Sequence, residues 1–163
     1  MNSSSPSGGR SYDQARDVLG RFASGVVVIT AVGPDGPVGL TCQSFVSLSL
    51  DPPLISVAVA RTSRSWPKIR QVGTFGVNVL AEDQRGVSDA FARSGGDKFA
   101  AGEWSLDDHG VLLLVDACAW ITCKLINEYD GGDHSIAVGA VLALQAGARE
   151  PLVYHRSGYR RLA

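Results

Sequence analysis

Four short stretches of this chain group residue types that can do chemistry together. Gly39-Leu40-Thr41-Cys42-Gln43-Ser44-Phe45 closes an apolar run with small polar groups and one amide side chain. Such an edge can offer backbone N–H groups, hydroxyls and an amide to a flat heteroaromatic ring, although an ordinary polar strand exit has the same composition. Arg61-Thr62-Ser63-Arg64-Ser65 sets guanidinium groups and hydroxyls just ahead of an expected helix start. Forked, charge-assisted hydrogen bonds and the positive end of a helix both suit a phosphate. The alternative is a solvated basic turn that caps the helix. Gly132-Asp133-His134 lies at an expected turn. A histidine there can donate a hydrogen bond or act as a weak acid near neutral pH, or simply be solvated. Asp97-Lys98-Phe99 joins a cation able to pair with an anion and an aromatic able to cover a ring. A polar loop with one anchoring aromatic would look no different.

Other chemistries lack their residues. There is no G-x-x-x-x-G-K and no G-x-G-x-x-G, so the common phosphate loops are missing. H-E-x-x-H and G-x-S-x-G are absent too. Ser65-Trp66-Pro67-Lys68 matches S-x-x-K, but the companions S-D-N and K-T-G are missing and Pro67 suits a helix start. His109, His134 and His155 fall on three separate turns or strand ends without ligand spacing, which argues against a metal. Cys118 and Cys123 sit five apart in an expected strand, an odd offset that sends them to opposite faces. With Cys42 they make an odd count and no secretory signal precedes them, so reduced thiols in the cytoplasm are expected.

Short elements must carry these groups. The spacing of Ala15, Val18, Leu19 and Phe22 predicts a helix over 11–24, stopped by Gly25. Val26 to Thr30 is a β-branched run expected as a buried strand. Gly33-Pro34-Asp35-Gly36-Pro37 turns it into a strand over 38–44. Strands are expected at 45–50 and 54–60, broken by Asp51-Pro52-Pro53. A short helix is expected with Ser65 as its cap and Gly73 beyond its end. A strand over 74–80, a helix over 82–93, and a hairpin of 117–129 with 134–145 around Asp130-Gly131-Gly132-Asp133 follow. The second arm of that hairpin carries Ile136, Val138, Ala140, Leu142 and Leu144 on one face. A last short element is expected over 151–162, turned at Ser157-Gly158. Many regularly spaced strands with few helices argue for an antiparallel barrel or sandwich and against a Rossmann sheet.

Length and charge narrow the rest. The 163 residues suit one domain, read as 11–163 behind a Ser-, Gly- and Pro-rich tail over 1–10 expected to be disordered. A formal net charge of -1 gives no broad basic field for nucleic acid. No apolar run approaches the roughly 18 residues of a membrane span.

Six collinear stretches together resemble the flavin reductase family of the FMN-binding split barrel: RFASGVVVIT from Arg21, GLTCQSFVSLSLDPPLISV from Gly39, SRSWPKIRQVGTFGVNVL from Ser63, DKFAAGEW from Asp97, GGDHSIAVGAV from Gly131 and PLVYHRSGYRRL from Pro151. The resemblance runs from about Val18 to Leu162. It implies a mainly β fold, a six-stranded antiparallel Greek-key split barrel with a few flanking helices, usually a homodimer. It implies that Thr41, Cys42, Gln43 and Ser44 lie along the ring of FMN or FAD, that Arg61, Thr62, Ser63, Arg64 and Ser65 hold its phosphate end, and that Lys98 and Phe99 approach it. His134 would stand by the nicotinamide of NADH or NADPH. The implied reaction is hydride transfer from nicotinamide to flavin, with reduced flavin passing to a separate monooxygenase. A bound flavin serving another acceptor, or a non-catalytic flavin-binding module, are the alternatives. Many members have Asn where this chain has Gln43, which keeps the same donor and acceptor with a different reach.

Overall fold

The computed structural model describes residues 8–163, with side chains from Tyr12 onward; residues 1–7 of the expected tail lie outside the described residues. Helix α1 spans Gly8–Leu19. It begins inside the segment expected as a tail and ends earlier than the expected Ser24. Gly20 still bonds back four residues to the Arg16 carbonyl, but Arg21 and Phe22 bond back only three, to Val18 and Leu19. That tightening ends the helix. Its expected buried face is uncovered in this chain, with Leu19 at 73% and Phe22 at 83% exposure.

Strand β1 (Ser24–Gly25) pairs with β11 (Val153–His155), and β11 with β12 (Gly158–Arg160). The main sheet is built from β2 (Val27–Gly33), β3 (Gly36–Cys42), β4 (Val46–Leu50), β5 (Pro53–Ala60), β6 (Thr74–Val79), β9 (Ala119–Gly131) and β10 (His134–Ala146). A separate hairpin, β7 (Trp104–Leu106) with β8 (Leu112–Leu114), was not expected from the sequence. Helix α2 (Trp66–Val72) follows β5, and α3 (Arg85–Ala92) follows β6.

The main sheet has seven strands in the order β3-β2-β6-β9-β10-β5-β4, all antiparallel. The protein is therefore mainly β with few helices. The expected six-stranded closed ladder is corrected to seven strands whose backbone pairing does not close. The curl brings the end of β3 to β5 by side-chain bonds instead. The Ser44 hydroxyl donates to the Ala58 carbonyl and accepts from the Ala58 N–H, each at 2.8 Å.

Two cores explain the curl. Val27, Ile29 and Ala31 point into one, with Val57, Phe75, Val77, Cys123 and Ala137. Trp66 and Ile69 of α2 plug that side. Val26 and Val28, on the opposite face, pack with Leu80, Val87, Phe91 and Leu114. The expected buried run of β2 is thus buried on both faces. Fully buried Asn78 ties the β8 segment to the sheet: its amide donates to Val28 O at 3.1 Å and Thr30 Oγ1 at 3.2 Å, and its oxygen accepts from Leu114 N–H at 2.8 Å.

The face of β10 read from the sequence is divided: Val138 is buried and Ala140 half-buried, but its larger side chains point outward. Ile136, Leu142 and Leu144 are exposed, whereas Ala137 is buried. Gly139 shows why small residues face inward: a Cβ there would stand 3.0 Å from both Cys123 Cβ and the Phe75 ring. Register shifts near Gly139 and Val141 further break the simple alternation.

Candidate active site

The curled sheet, α2 and the end of α3 enclose a groove of about 650 Å³. One wall is β3, with Leu40, Thr41 and Cys42; the opposite wall is β5, with Ala58 and Ala60. Thr62, Ser63, Arg64 and Ser65 form one end, and Lys98 and His134 also border the space. The fold thus gathers eight of the residues singled out in the sequence: Thr41, Cys42, Thr62, Ser63, Arg64, Ser65, Lys98 and His134.

Four others sit elsewhere. Gln43 and Ser44 line a second hollow of about 620 Å³, more apolar, with Phe22, Val27, Phe45 and Val46. The expected polar shelf is therefore divided at the end of β3. Arg61 turns away to the β9–β10 tip, donating from Nε to Gly132 O at 2.8 Å and pairing with Asp130. That ion pair and a hydrogen bond from Gly132 N–H hold the Asp130 carboxyl below its ordinary range. Phe99 is edge-on to Phe91 and Trp104, with ring centroids 4.9 and 5.0 Å away, in a cluster under the groove.

Several groove residues are held by specific bonds. The Thr41 hydroxyl donates to the Ser88 carbonyl of α3 at 2.7 Å, locking that helix against β3. Cys42 is buried, with its thiol 2.9 Å from the Ser44 hydroxyl, and burial pushes its pKa up, so it is an inert wall rather than a nucleophile. The expected Ser65 cap makes no side-chain bond to the helix. The Ser63 hydroxyl does that work, accepting from Trp66 N–H at 3.1 Å. Because α2 has only seven residues and its first N–H is already taken, side chains rather than the helix end must hold an anion here. His134 Nδ1 lies 2.7 Å from the Asp133 carboxylate, and this contact holds the Asp133 carboxyl below its ordinary range.

The charge pattern of the groove is one-sided. Arg64, Lys68, Arg93 and Lys98 line it, and no carboxylate does. None of these four makes an ion pair among the described residues, while Arg61, Arg70, Arg85 and Arg149 do. The Lys98 ammonium has only long contacts, 3.5 Å to Gly39 O and 3.4 Å to Phe91 O, and burial lowers its pKa. Unpaired cations in a partly dry groove favour an anionic guest. A wall of apolar strand residues beside hydroxyls and cations fits a planar ring carrying a phosphate.

Sequence reasoning missed Lys68 and the Arg93-Ser94-Gly95 segment. Lys68 had a signal, since it follows Arg64 by four residues around the start of α2. Arg93 had none, because only the packing of α3 on β3 brings its end to the groove.

A flavin reductase like domain matches residues 19–163. The chain belongs to the flavin reductase family. It is 43% identical over 147 residues to the reductase subunit HsaB of a flavin-dependent monooxygenase from Mycobacterium tuberculosis, across 88% of this chain and 79% of that protein. A probable flavin reductase of Rhizobium meliloti is 43% identical over 145 residues, 88% of this chain, but the match spans only 47% of that protein. Among solved structures, the NADH:FAD oxidoreductase SgcE6 of Streptomyces globisporus, in complex with NAD and FAD fragments, superposes with a TM-score of 0.89 at 33% identity, over 100% of this chain and 98% of that one. Family membership accounts for the six collinear stretches and for a mainly β fold with few helices.

Proposed function

We propose that the groove seats FMN or FAD and that NADH or NADPH reduces it there. The flavin ring lies along the end of β3, from Thr41 toward Gln43 and Ser44 across the lip between the two hollows. Ser63, Arg64 and Ser65 hold the phosphate, and Lys98 adds a desolvated positive charge from the α3 side. The chain is an NAD(P)H-dependent flavin reductase. When bound, the flavin accepts a hydride at N5 from the nicotinamide C4, chemistry that the cofactors supply. The protein's share is alignment, exclusion of water and electrostatics. His134, oriented by Asp133, borders the nicotinamide side of the groove and steadies the incoming ring.

The observation carrying this reading is the coincidence, in one groove, of an apolar strand wall, five hydroxyls and four cations without a carboxylate partner. It also explains why no acid–base pair is needed in the groove. Reduced flavin then leaves for a separate monooxygenase.

The seven-stranded sheet is the split barrel of this family, with Ser44 and Ala58 at its seam. The assembly is a homodimer. Leu48 and Leu50 of β4, Leu142 and Leu144 of β10, Leu19 at the end of α1 and Phe22 just beyond it are all at least 44% exposed, an apolar area that a second copy would cover. Among the described residues no helix is long and apolar enough to cross a membrane. Three free thiols support a cytoplasmic setting.

The test is NADH oxidation followed with and without added FMN or FAD. The rate should depend on added flavin. An absence of turnover with either flavin and either nicotinamide would remove the proposal.

A further inference from the structure

We propose that Tyr159 is a positioning residue for flavin reduction: its hydroxyl anchors α3 from β12 and so keeps the α3 end of the groove in place. The inference rests on the groove as the flavin seat and deepens that reading.

Helix α3 has eight residues, no side-chain cap at Gln84 and an extended Arg93 at its end. Two uncapped turns do not fix their own position, so the contacts around them must. On one side α3 packs against β3. The Phe91 ring lies over Gly39, where a Cβ would come within 2.6 Å of it, and the Ser88 carbonyl accepts from the Thr41 hydroxyl at 2.7 Å. The other anchor comes from the C-terminal hairpin. The Tyr159 hydroxyl donates to Asp89 Oδ1 at 2.9 Å and lies 2.9 Å from Ser88 Oγ. A phenol has one proton to give. With that proton on the Asp89 carboxylate, the Ser88 hydroxyl is the donor to Tyr159. Arg85 completes the cluster, its guanidinium 5.0 Å from the centre of the Tyr159 ring and its Nε 3.5 Å from Asp89 Oδ2.

Ser88 belongs to both anchors, through its carbonyl to Thr41 and through its side chain to Tyr159, and it is fully buried. A polar line therefore runs from β12 through Ser88 to the groove wall. Phe91 and Arg93 border the groove from the same helix. Lys98 bridges that helix to β3, 3.4 Å from Phe91 O and 3.5 Å from Gly39 O. Without the Tyr159 hydroxyl the buried Ser88 side chain loses its acceptor, and α3 gains freedom to move off β3. Such a shift displaces Arg93 and opens the Lys98 bridge. The stretch from Pro151 to Leu162, which lends no side chain to the groove, thereby acts on it.

The experiment follows NADH oxidation against flavin concentration, with FMN and FAD each, alongside flavin titration and a thermal melt. It uses the full chain as wild type, Tyr159→Phe, Ser88→Ala, their double variant, Asp107→Asn and Arg64→Ala. Tyr159→Phe should raise KM and Kd for flavin about fivefold and leave kcat unchanged. Ser88→Ala should act in the same direction, and it reads the same bond without touching β12 should the phenylalanine variant fold poorly. The double variant should be no worse than Tyr159→Phe alone, because the two changes remove one shared bond. Lost stability by itself lowers the folded fraction and hence the apparent kcat, but leaves KM in place. Asp107→Asn, which lies off the groove, is that control and should keep the wild-type KM. A wild-type KM in Tyr159→Phe and Ser88→Ala, an equal rise in Asp107→Asn, or additive losses in the double variant would overturn the role of Tyr159. Arg64→Ala reads the groove itself. Weaker flavin there with unchanged Tyr159→Phe removes the positioning role alone, whereas unchanged affinity in Arg64→Ala removes the flavin seat and this inference with it.

Discussion

The Ser44 hydroxyl spans both polar groups of the Ala58 backbone, donating to the carbonyl and accepting from the N–H, each at 2.8 Å. The pair replaces a missing rung between β3 and β5 and closes the sheet beside the groove. Ser44→Ala removes both bonds at a partly solvated seam. It should cost about 1 kcal/mol, read as a lower denaturation midpoint with an unchanged slope. Flavin affinity should fall with it, because the β3 wall loses its anchor. A variant as stable as the wild type would show that the seam is held by packing alone.

Asn78 is the most connected buried polar side chain, with three hydrogen bonds linking β2, β6 and the β8 segment. Asn78→Ala leaves the Leu114 N–H without its partner inside the fold. A loss of about 3 kcal/mol is expected, from one orphaned donor plus a small cavity. Thermal unfolding measures it. A shift no larger than that of an exposed substitution would contradict this account.

Arg64 should be separable from Ser63, because only Ser63 caps α2. Arg64→Ala is expected to raise the flavin Kd roughly 10- to 100-fold, the loss of a charge-assisted contact, with stability unchanged. Ser63→Ala should lower stability by about 1 kcal/mol as well. Flavin titration and a thermal melt on each variant distinguish them; unchanged affinity in Arg64→Ala would remove the phosphate assignment.

His134→Ala should lower kcat/KM for the nicotinamide about tenfold while the flavin Kd holds. Steady-state kinetics at saturating flavin, paired with flavin titration, reads both. The opposite split, weaker flavin with intact nicotinamide kinetics, would place His134 on the flavin side.

Asp107 gives a pH dependence. Its burial would raise its pKa, but hydrogen bonds from Thr122 at 2.6 Å and from the N–H groups of Val111 and His109 outweigh that and hold it below the ordinary carboxylate range. A folded-state pKa below the unfolded one means that its stabilisation is fully present above the unfolded value. It is lost as pH falls through the folded one. Asp107→Asn should therefore be less stable than wild type at neutral pH, and the gap should narrow in acid. Parallel curves of stability against pH would show that Asp107 contributes nothing through its charge.

The sequence alone determined the elements around the groove. β-Branched runs, the Pro-Asp-Gly turn and the Gly-Gly-Asp hairpin are local signals, and β2, β3, β5, β6, β9 and β10 all appear within a few residues of expectation. All four chemical stretches contribute residues to the groove border, Thr41-Cys42 and Thr62 to Ser65 most fully, because strands fix them. Tertiary structure decided the rest. Whether β10 turns its leucines in or out depended on the room beside Phe75 and Cys123, which no spacing within β10 records. Arg61 left the groove because Gly132 and Asp130, distant in sequence, take its guanidinium. Arg93 entered it because α3 packs on β3. A local pattern fixes which way a backbone runs; which side chains meet depends on contacts between residues far apart in the chain, and those exist only after the sheet has curled.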